Sequence, residues 1–521
     1  MKQRWLAWPV VALGMVICRA AFLEDVVYNI DETEYAVAAH GLDHGWLPGV
    51  DLLGTTKPPG AAVLYNVLFH LFGPSLTAAH VTQTVVMIAA GIAVIELAIA
   101  LWGLTAALPA AFLWWVLCNS YGLPPEMFSL NVESPGLVLL APALLLVWKR
   151  PQRRWSLIAA GGAVGCAALF RQSYAVFLLP LMVAVWAIRP QRLKRAVGTL
   201  AGFALPWVIT GIVYASSGGL AWAWDSWVRY PLTYAGDVGV SGFMQALLIN
   251  GTEFFKQAIM PLCLAVFGCG LLMQRWPSAR TKFVAATVVA SFLALCAGSR
   301  FWGHYWLQVY PALAVTGVYA WLWLNRRFAR YRVAVSGAIV IAGLILGMRL
   351  PTWRTWDFTA PPRGISYSRL DDEQTEREIG RFAMAHTASD ETIVVWGYCP
   401  QIYYYARRLP GVRDYLCHYI TGYSPGSFDP FTERAPREQG HSMAQRMFIE
   451  DLEQRRPKYV FDLVLIDDYP FTFLNYSLRD YPDLASYMRE TYLPEGQVGR
   501  ALVYRRRTAQ DTWIPDAKDV E

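Results

Sequence analysis

The sequence predicts a mainly α, polytopic membrane protein that carries an α/β domain outside the bilayer. Of its 521 residues 55% are hydrophobic and only 16% are charged, with a mean hydropathy of +0.30. Soluble globular chains do not have this balance. Apolar runs of near-spanning length recur from Trp5 to Leu350. After Pro351 the charged residues, prolines and tyrosines rise, and no further such run appears.

The first run, Trp5 to Leu23, follows Lys2 and Arg4 as in a signal peptide. No small-x-small cleavage site comes after it and it is long enough to span, so it reads as an uncleaved first helix. Further runs cover Leu76 to Leu101, Thr105 to Cys118, Ser134 to Trp148, Trp155 to Phe170, Gln172 to Ile188 and Val197 to Ala215. Phe255 to Gln274, Phe283 to Ala297, His304 to Trp323 and Val333 to Leu350 complete the set. Together they give about eleven transmembrane helices, the shorter ones extending into flanking loops to reach the ~20 residues a span needs. Ala61 to Phe72 adds one more or lies in the interface. Residues 1–350 are therefore expected to form the membrane domain, with a first outer loop at 24–60, and 351–521 the external domain.

Orientation follows from the cations. Lys2/Arg4, Lys149/Arg150/Arg153/Arg154, Arg189/Arg192/Lys194/Arg195, Arg275/Arg280/Lys282 and Arg326/Arg327/Arg330/Arg332 occupy alternate connections. By the positive-inside rule the N-terminus is cytoplasmic and the tail, after an odd number of spans, lies on the periplasmic or extracytoplasmic side of the inner membrane. The net charge of +6 is accounted for by this pattern, which argues against nucleic acid as a partner. Six of the eight cysteines sit in or beside apolar runs without metal-ligand spacing, so no zinc site is expected.

The opposite connections hold few cations: Lys57, Arg171, Arg229 with Lys256, and Arg300. Any one of them alone reads equally well as a side chain snorkelling to lipid headgroups. As a set at uncharged apolar ends they look like a phosphate cradle, since charge at membrane depth is costly and tends to mark substrate routes. The first outer loop, DETEYAVAAHGLDHGWLPGVDLLGTTKPPG from Asp31 to Gly60, adds acids to that cradle. Its Thr33 to Leu42 portion can form a short helix on the membrane with Asp31 or Thr33 near the N-cap. A carboxylate there can take a proton from an acceptor hydroxyl or amine, and Lys57, held by Pro58 and Pro59, can stabilise a departing phosphate. Asp31 and Glu32 are adjacent, so they point about 100° apart on a helix and one of them faces a given substrate. A second outer connection, Ser216 to Glu253, is rich in Trp and Tyr and suits the headgroup layer or stacking on sugar rings. A smaller one, Asn119 to Glu133, ends in NVES, which puts Glu133 where a helix re-enters the bilayer.

In the tail, helices are expected at Asp371 to His386, His441 to Glu453 and Leu484 to Tyr492. Strands are expected at Thr392 to Trp396, near Tyr459 to Ile466, and at Ala501 to Tyr504, which together make a small α/β layer. No GxGxxG or P-loop is present to support nucleotide binding. Cys399 and Cys417 read equally well as a disulfide or as two buried thiols.

The DETEY start after a first span, the closing KPPG, NVES, FRQSY and SRFWGHYWLQVYP together resemble the GT-C membrane glycosyltransferases of the protein O-mannosyltransferase and aminoarabinose lipid A transferase superfamily, family 39-like. The resemblance covers roughly Lys2 to Leu350. It implies a GT-C fold and an inverting transfer of sugar from a polyprenyl-phosphate carrier to an envelope acceptor. It further implies Asp31 as catalytic base with Glu32 beside it, Lys57 at the lipid phosphate and Glu133 as second-loop acid. Arg171, Arg229, Arg300 and His304 complete the expected substrate-binding set. Aminoarabinose transferases carry Glu before the loop lysine where this chain has Thr56, so the sugar and acceptor stay open, and no inserted MIR domain is visible. No cofactor is required by this chemistry; a divalent metal bridging Asp31, Glu133 and phosphate is left open. Two alternatives stay beside it: a non-catalytic transporter of lipid-linked glycans, and a ligase moving a preassembled glycan through the same cleft. A transporter is expected to place polar residues near mid-bilayer and to show inverted repeats; here the polar residues collect at the outer ends.

Overall fold

A computed structural model of the chain describes residues 2–53, 56–119, 127–187, 191–236, 238–276, 278–347, 370–421, 438–463 and 476–511. The expected domain boundary at 350 and 351 lies outside them. The chain divides into two compact units, Met1–Tyr35 with Thr56–Tyr367, and Ala36–Thr55 with Ser368–Glu521.

The first unit is helical. Seven of its helices are long and apolar enough to cross a membrane: Arg4–Phe22, Leu76–Trp102, Arg192–Ser216, Gly239–Met273, Ala279–Cys296, Gly303–Arg327 and Ala329–Gly347. Gly60–Phe72, Leu104–Asn119, Arg154–Phe170 and Gln172–Trp186 are shorter apolar helices, and Glu133–Lys149 is a helix of 17 residues. Each predicted run thus contains a helix. The stretch expected to be a long connection, Ser216 to Glu253, is instead helical through Leu220–Trp224, a π turn at Asp225–Arg229, Tyr230–Gly236 and the start of Gly239–Met273. Its glycines fall largely at the breaks between these segments: Gly218 and Gly219 precede the first, Gly236 ends Tyr230–Gly236 and Gly239 opens the long helix. The long Gly239–Met273 helix kinks at Ala258, three residues before Pro261, whose ring lacks an N–H and collides with the preceding turn.

Two contacts show how sequence sets the packing. In Arg154–Phe170 and Arg192–Ser216, Gly161, Gly165 and Gly202 sit against opposing backbone carbonyls of Thr199, Phe203 and Ile158, where an added Cβ would collide. Small residues four apart let the two backbones meet, as expected where lipid removes the ordinary hydrophobic drive. Glu96 draws three helices together by accepting from Arg4 Nε at 2.6 Å and Nη2 at 2.9 Å and from Lys149 Nζ at 3.2 Å.

The second unit carries a four-stranded sheet of order β1-β2-β4-β3, with β1 Ile393–Trp396, β2 Tyr459–Asp462, β3 Tyr492–Val498 and β4 Ala501–Arg506. β1 and β2 are parallel; β4 pairs antiparallel with both β2 and β3. The expected α/β layer is present, with helices Leu370–His386, Pro400–Ala406, Glu438–Arg455 and Pro482–Thr491. β3 was not anticipated, because Pro494 and Gly496 flank a register shift in it and read as a turn. Cys399 and Cys417 are reduced, buried thiols. Cys399 Sγ donates to Glu376 Oε1 at 3.4 Å and Cys417 Sγ to the Val395 carbonyl at 3.8 Å.

Two buried groups beside them titrate in opposite senses. Burial pushes the Asp414 carboxyl up to about 7, even though the amides of His418, Tyr419 and Ile420 donate to it at 2.9, 2.9 and 3.0 Å. Burial pushes His418 down to about 3. A raised acid contributes stability below its unfolded value of 3.8, which is lost as pH climbs through 7. A lowered histidine contributes above its unfolded value of 6.5, which is lost as pH falls toward 3. Between about pH 4 and 6.5 the two proton balances cancel. Asp414→Asn is expected to unmask His418, so that stability rises with pH by about 1.4 kcal/mol per unit across that window. Thermal unfolding of the purified chain at a series of pH values measures it; a variant slope equal to the parent's would refute the pairing.

Candidate active site

The site grows from the start of the helix Ile30–Asp43. Asn29 caps it, its Oδ1 accepting from the Asp31 amide at 3.0 Å, and Glu32 Oε2 reaches back to the Asn29 amide at 3.3 Å. This is a reciprocal capping box in which Asn serves as the cap. Glu32 does more than cap. Its Oε1 accepts from the Leu130 amide at 3.0 Å and lies 3.1 Å from His80 Nε2, while His80 Nδ1 faces the Glu24 carbonyl at 2.8 Å. Glu32 is wholly buried. Its carboxylate thereby ties the first loop to the segment that leads into NVES.

Asp31 turns the other way. Its Oδ2 accepts from Lys57 Nζ at 2.7 Å and from the Tyr35 hydroxyl at 3.3 Å. The side chains of Asp31 and Lys57 keep 16% and 18% exposure, so both stay partly accessible, unlike Glu32. Lys57 also lies 5.2 Å from the Tyr35 ring centroid. Burial would raise the Asp31 carboxyl, but the charges of Lys57 and then His304, with the hydrogen bonds from Lys57 and Tyr35, hold it below the usual carboxylate range. Burial works to lower the Lys57 ammonium, yet Asp31 and Glu34 keep it above its ordinary value. The Tyr35 hydroxyl is pushed well up by burial and by Asp31. At neutral pH the group therefore holds a carboxylate, an ammonium and a neutral phenol.

Lys57 owes its place to KPPG. Gly60 opens the helix Gly60–Phe72, and a Cβ there would stand 2.6 Å from the carbonyl oxygen of Leu169. Only glycine lets the loop lie this close to the end of Arg154–Phe170. Gln172 fastens the same corner, its Nε2 donating to the Thr56 carbonyl at 3.2 Å and to the Trp227 carbonyl at 2.8 Å.

A second acid–cation pair sits beside the first. Glu133, at the head of Glu133–Lys149, is fully buried and ion-paired with Arg171 Nη1. The Tyr174 hydroxyl donates to the Glu133 carbonyl at 2.5 Å. Arg171 stacks its guanidinium 3.6 Å from the Tyr305 ring centroid, and His304 Nε2 lies 4.0 Å from Glu133 Oε1. Glu133 Oε2 makes no hydrogen bond among the described residues. Asp31, Lys57, Glu133, Arg171 and His304 therefore converge. Arg300 is buried with its guanidinium 4.5 Å from the Tyr234 ring, and its carbonyl accepts from Asn250 Nδ2 at 2.8 Å. Ser299 and Phe301 on either side of it have φ of 54° and 55°, a left-handed conformation costly for side-chain-bearing residues. Arg229 stays apart, with its side chain 79% exposed and 3.5 Å from Asp225 Oδ1.

Sequence reasoning did not single out Tyr35, His80, Gln172, Tyr174 or Tyr305. Tyr35 was within reach, four residues beyond Asp31 on one helix face, and Gln172, Tyr174 and Tyr305 lie inside the FRQSY and SRFWGHYWLQVYP stretches; His80 alone of the five stood outside every quoted motif. Arg19 was also missed: buried, it donates to the Met127 and Cys118 carbonyls at 3.1 and 3.4 Å and faces the Phe128 ring at 4.7 Å. Among the described residues no group of three or more His, Cys, Asp or Glu side chains is placed to hold a metal. The two acids nearest such a role already face Lys57 and Arg171.

The fold is the GT-C fold seen in ArnT and in the oligosaccharyltransferase AglB. Among solved structures, ArnT from Cupriavidus metallidurans bound to undecaprenyl phosphate superposes with a TM-score of 0.56 at 14% identity, covering 97% of this chain and 98% of that one. The Archaeoglobus fulgidus oligosaccharyltransferase AglB, in complex with an inhibitory peptide and a dolichol-phosphate, gives 0.53 at 12% identity over 98% of this chain and 75% of that one. The same oligosaccharyltransferase in complex with Zn and sulfate gives 0.54 at 15% identity over 88% and 68%. In sequence, the chain is 25% identical over 364 residues, 64% of its length and 79% of the relative's, to the polyprenol-phosphate-mannose-dependent alpha-(1-2)-phosphatidylinositol mannoside mannosyltransferase of Mycobacterium tuberculosis. No family model matches the chain.

Proposed function

We propose that the chain is an inverting glycosyltransferase that moves a sugar from a polyprenyl-phosphate carrier to an envelope acceptor at the outer face of the inner membrane. The observation that carries this reading is the partly exposed Asp31–Lys57 pair, with Nζ and Oδ2 2.7 Å apart. It sets a carboxylate against an ammonium at one point of a GT-C fold, which supports the roles of general base and phosphate-binding cation. The sequence relative takes its mannose from a polyprenol phosphate, and two of the fold neighbours hold undecaprenyl phosphate or dolichol-phosphate. That agreement supports the donor class.

The donor is a phosphodiester with one negative charge. On binding it competes with Asp31 for Lys57, and transfer of the ammonium to the phosphate leaves Asp31 as an unpaired carboxylate. The acceptor oxygen or nitrogen then attacks the anomeric carbon from the face opposite the phosphate, and the bond from that carbon to the phosphate oxygen breaks. Its proton passes to Asp31. Polyprenyl phosphate leaves with its new charge met by Lys57, with Arg171 and Arg300 as further cations of the cradle. Glu133 holds Arg171, and Glu32 fixes the loop that presents Asp31. A divalent cation bridging the two acids would have to displace Lys57 and Arg171 from them.

Proteoliposomes supplied with polyprenyl-phosphate-linked sugars and an envelope lipid extract test this. Release of polyprenyl phosphate with labelling of the extract is expected, and it should persist in chelator. A deletion strain should accumulate a carrier-linked sugar. Neither release nor accumulation with any carrier-linked hexose or pentose would refute the reading.

A further inference from the structure

The second unit contains an unexpected piece of chain. Ala36–Thr55, which lies in sequence between Asp31 and Lys57, clusters with Ser368–Glu521. Its attachments are specific. The Leu53 amide donates to the Arg413 carbonyl at 2.8 Å. Arg413 is itself fixed by Asp451, whose Oδ2 accepts from its amide and whose Oδ1 accepts from its Nε, both at 2.8 Å. Arg455 reaches the Asp51 carbonyl at 3.2 Å and the Pro410 carbonyl at 3.3 Å, and its guanidinium lies 4.1 Å from the Trp46 ring centroid. The held stretch is a compact turn in which Asp51 Oδ2 accepts from the Leu47 amide and Leu52 O from the Gly49 amide, both at 2.8 Å. Leu52 and Leu53 are wholly buried.

We propose that the C-terminal domain is a clamp on the first loop, with Arg413 and Arg455 as positioning residues for Asp31 and Lys57. The clamp acts through chain continuity and rests on the roles proposed for those two residues above. The helix that opens with Asp31 runs unbroken to Asp43, inside the clamped segment. On the other side Lys57 follows the pinned Leu53 by four residues. Asp31 and Lys57 are 26 residues apart, and a free loop of that length samples many conformations in which they do not meet. Fixing its middle removes most of that freedom. Arginine suits the task because one planar group serves two carbonyls and an aromatic face together.

Hydrogen exchange and steady-state transfer on the full-length protein test the clamp. Arg455→Ala and, from the loop side, Trp46→Ala should each speed exchange of amides in 46–53 about tenfold or more, with the double variant no worse than the stronger single. Turnover should fall on the order of tenfold with the KM for the donor nearly unchanged, as expected when bound groups are misaligned. Unchanged exchange in both variants would overturn the clamp. Faster exchange with parental turnover would overturn its positioning role and leave a packing contact. If the parent shows no transfer, the proposed reaction fails, while the exchange measurement still decides the clamp.

Discussion

Asp31→Asn is expected to lower turnover by about 10²- to 10⁴-fold, the range a positioned general base contributes, while insertion into the membrane is unchanged. Asparagine keeps the shape of the side chain, and its Oδ1 can still accept from Lys57 or Tyr35. What it loses is the basicity that takes the acceptor's proton. The parent enzyme gives the matching pH signature. Because Asp31 is held below the usual carboxylate range, its ionised form persists into acid. The kcat/KM for the donor, which reports the free enzyme, should therefore stay level through neutral pH, its acidic fall displaced to the low side of an ordinary carboxylate. Full activity in the Asp31→Asn variant, measured with a polyprenyl-phosphate sugar in liposomes, would remove Asp31 from the mechanism.

Lys57→Met should cost about 10²- to 10³-fold in turnover, the usual loss when a group that meets developing negative charge is removed. It should also act on Asp31. With Lys57 gone, its charge no longer offsets burial at that carboxyl, so the acidic fall in kcat/KM should move to higher pH. The two readouts separate two roles for one lysine. A reduced rate with an unmoved acidic limb would place Lys57 on the phosphate but uncouple it from the base; an unreduced rate would take it out of the cradle.

Much of the membrane domain was legible because a lipid environment leaves a simple mark in sequence. Apolar runs report helices. The acids and cations of the site were legible for the same reason, since charge near an apolar end stands out. Who pairs with whom was not. Asp31 and Lys57 read as two separate functional groups and meet only when the loop closes. Glu32 read as a second catalytic acid, and nothing local announced that His80, at the start of a distant helix, and the Leu130 amide would enclose it. Arg229 looked like its fellow outer cations, because exposure depends on how a helix faces its neighbours. Ala36–Thr55 reads as a loop on a membrane, and its partners lie more than 350 residues further along the chain.

The glycine-lined pair Arg154–Phe170 and Arg192–Ser216 has a mechanical meaning. Backbone against backbone leaves no compressible side-chain layer, so the two helices should move as one strut. Arg171 is the residue immediately after the first of them, and Gln172 next to it grips the Thr56 carbonyl beside Lys57. Arg171, and Lys57 through Thr56, are thus tied to that strut. A bilayer thick or thin enough to tilt it would shift Arg171 and Lys57 together, preserving their spacing while altering their height in the bilayer.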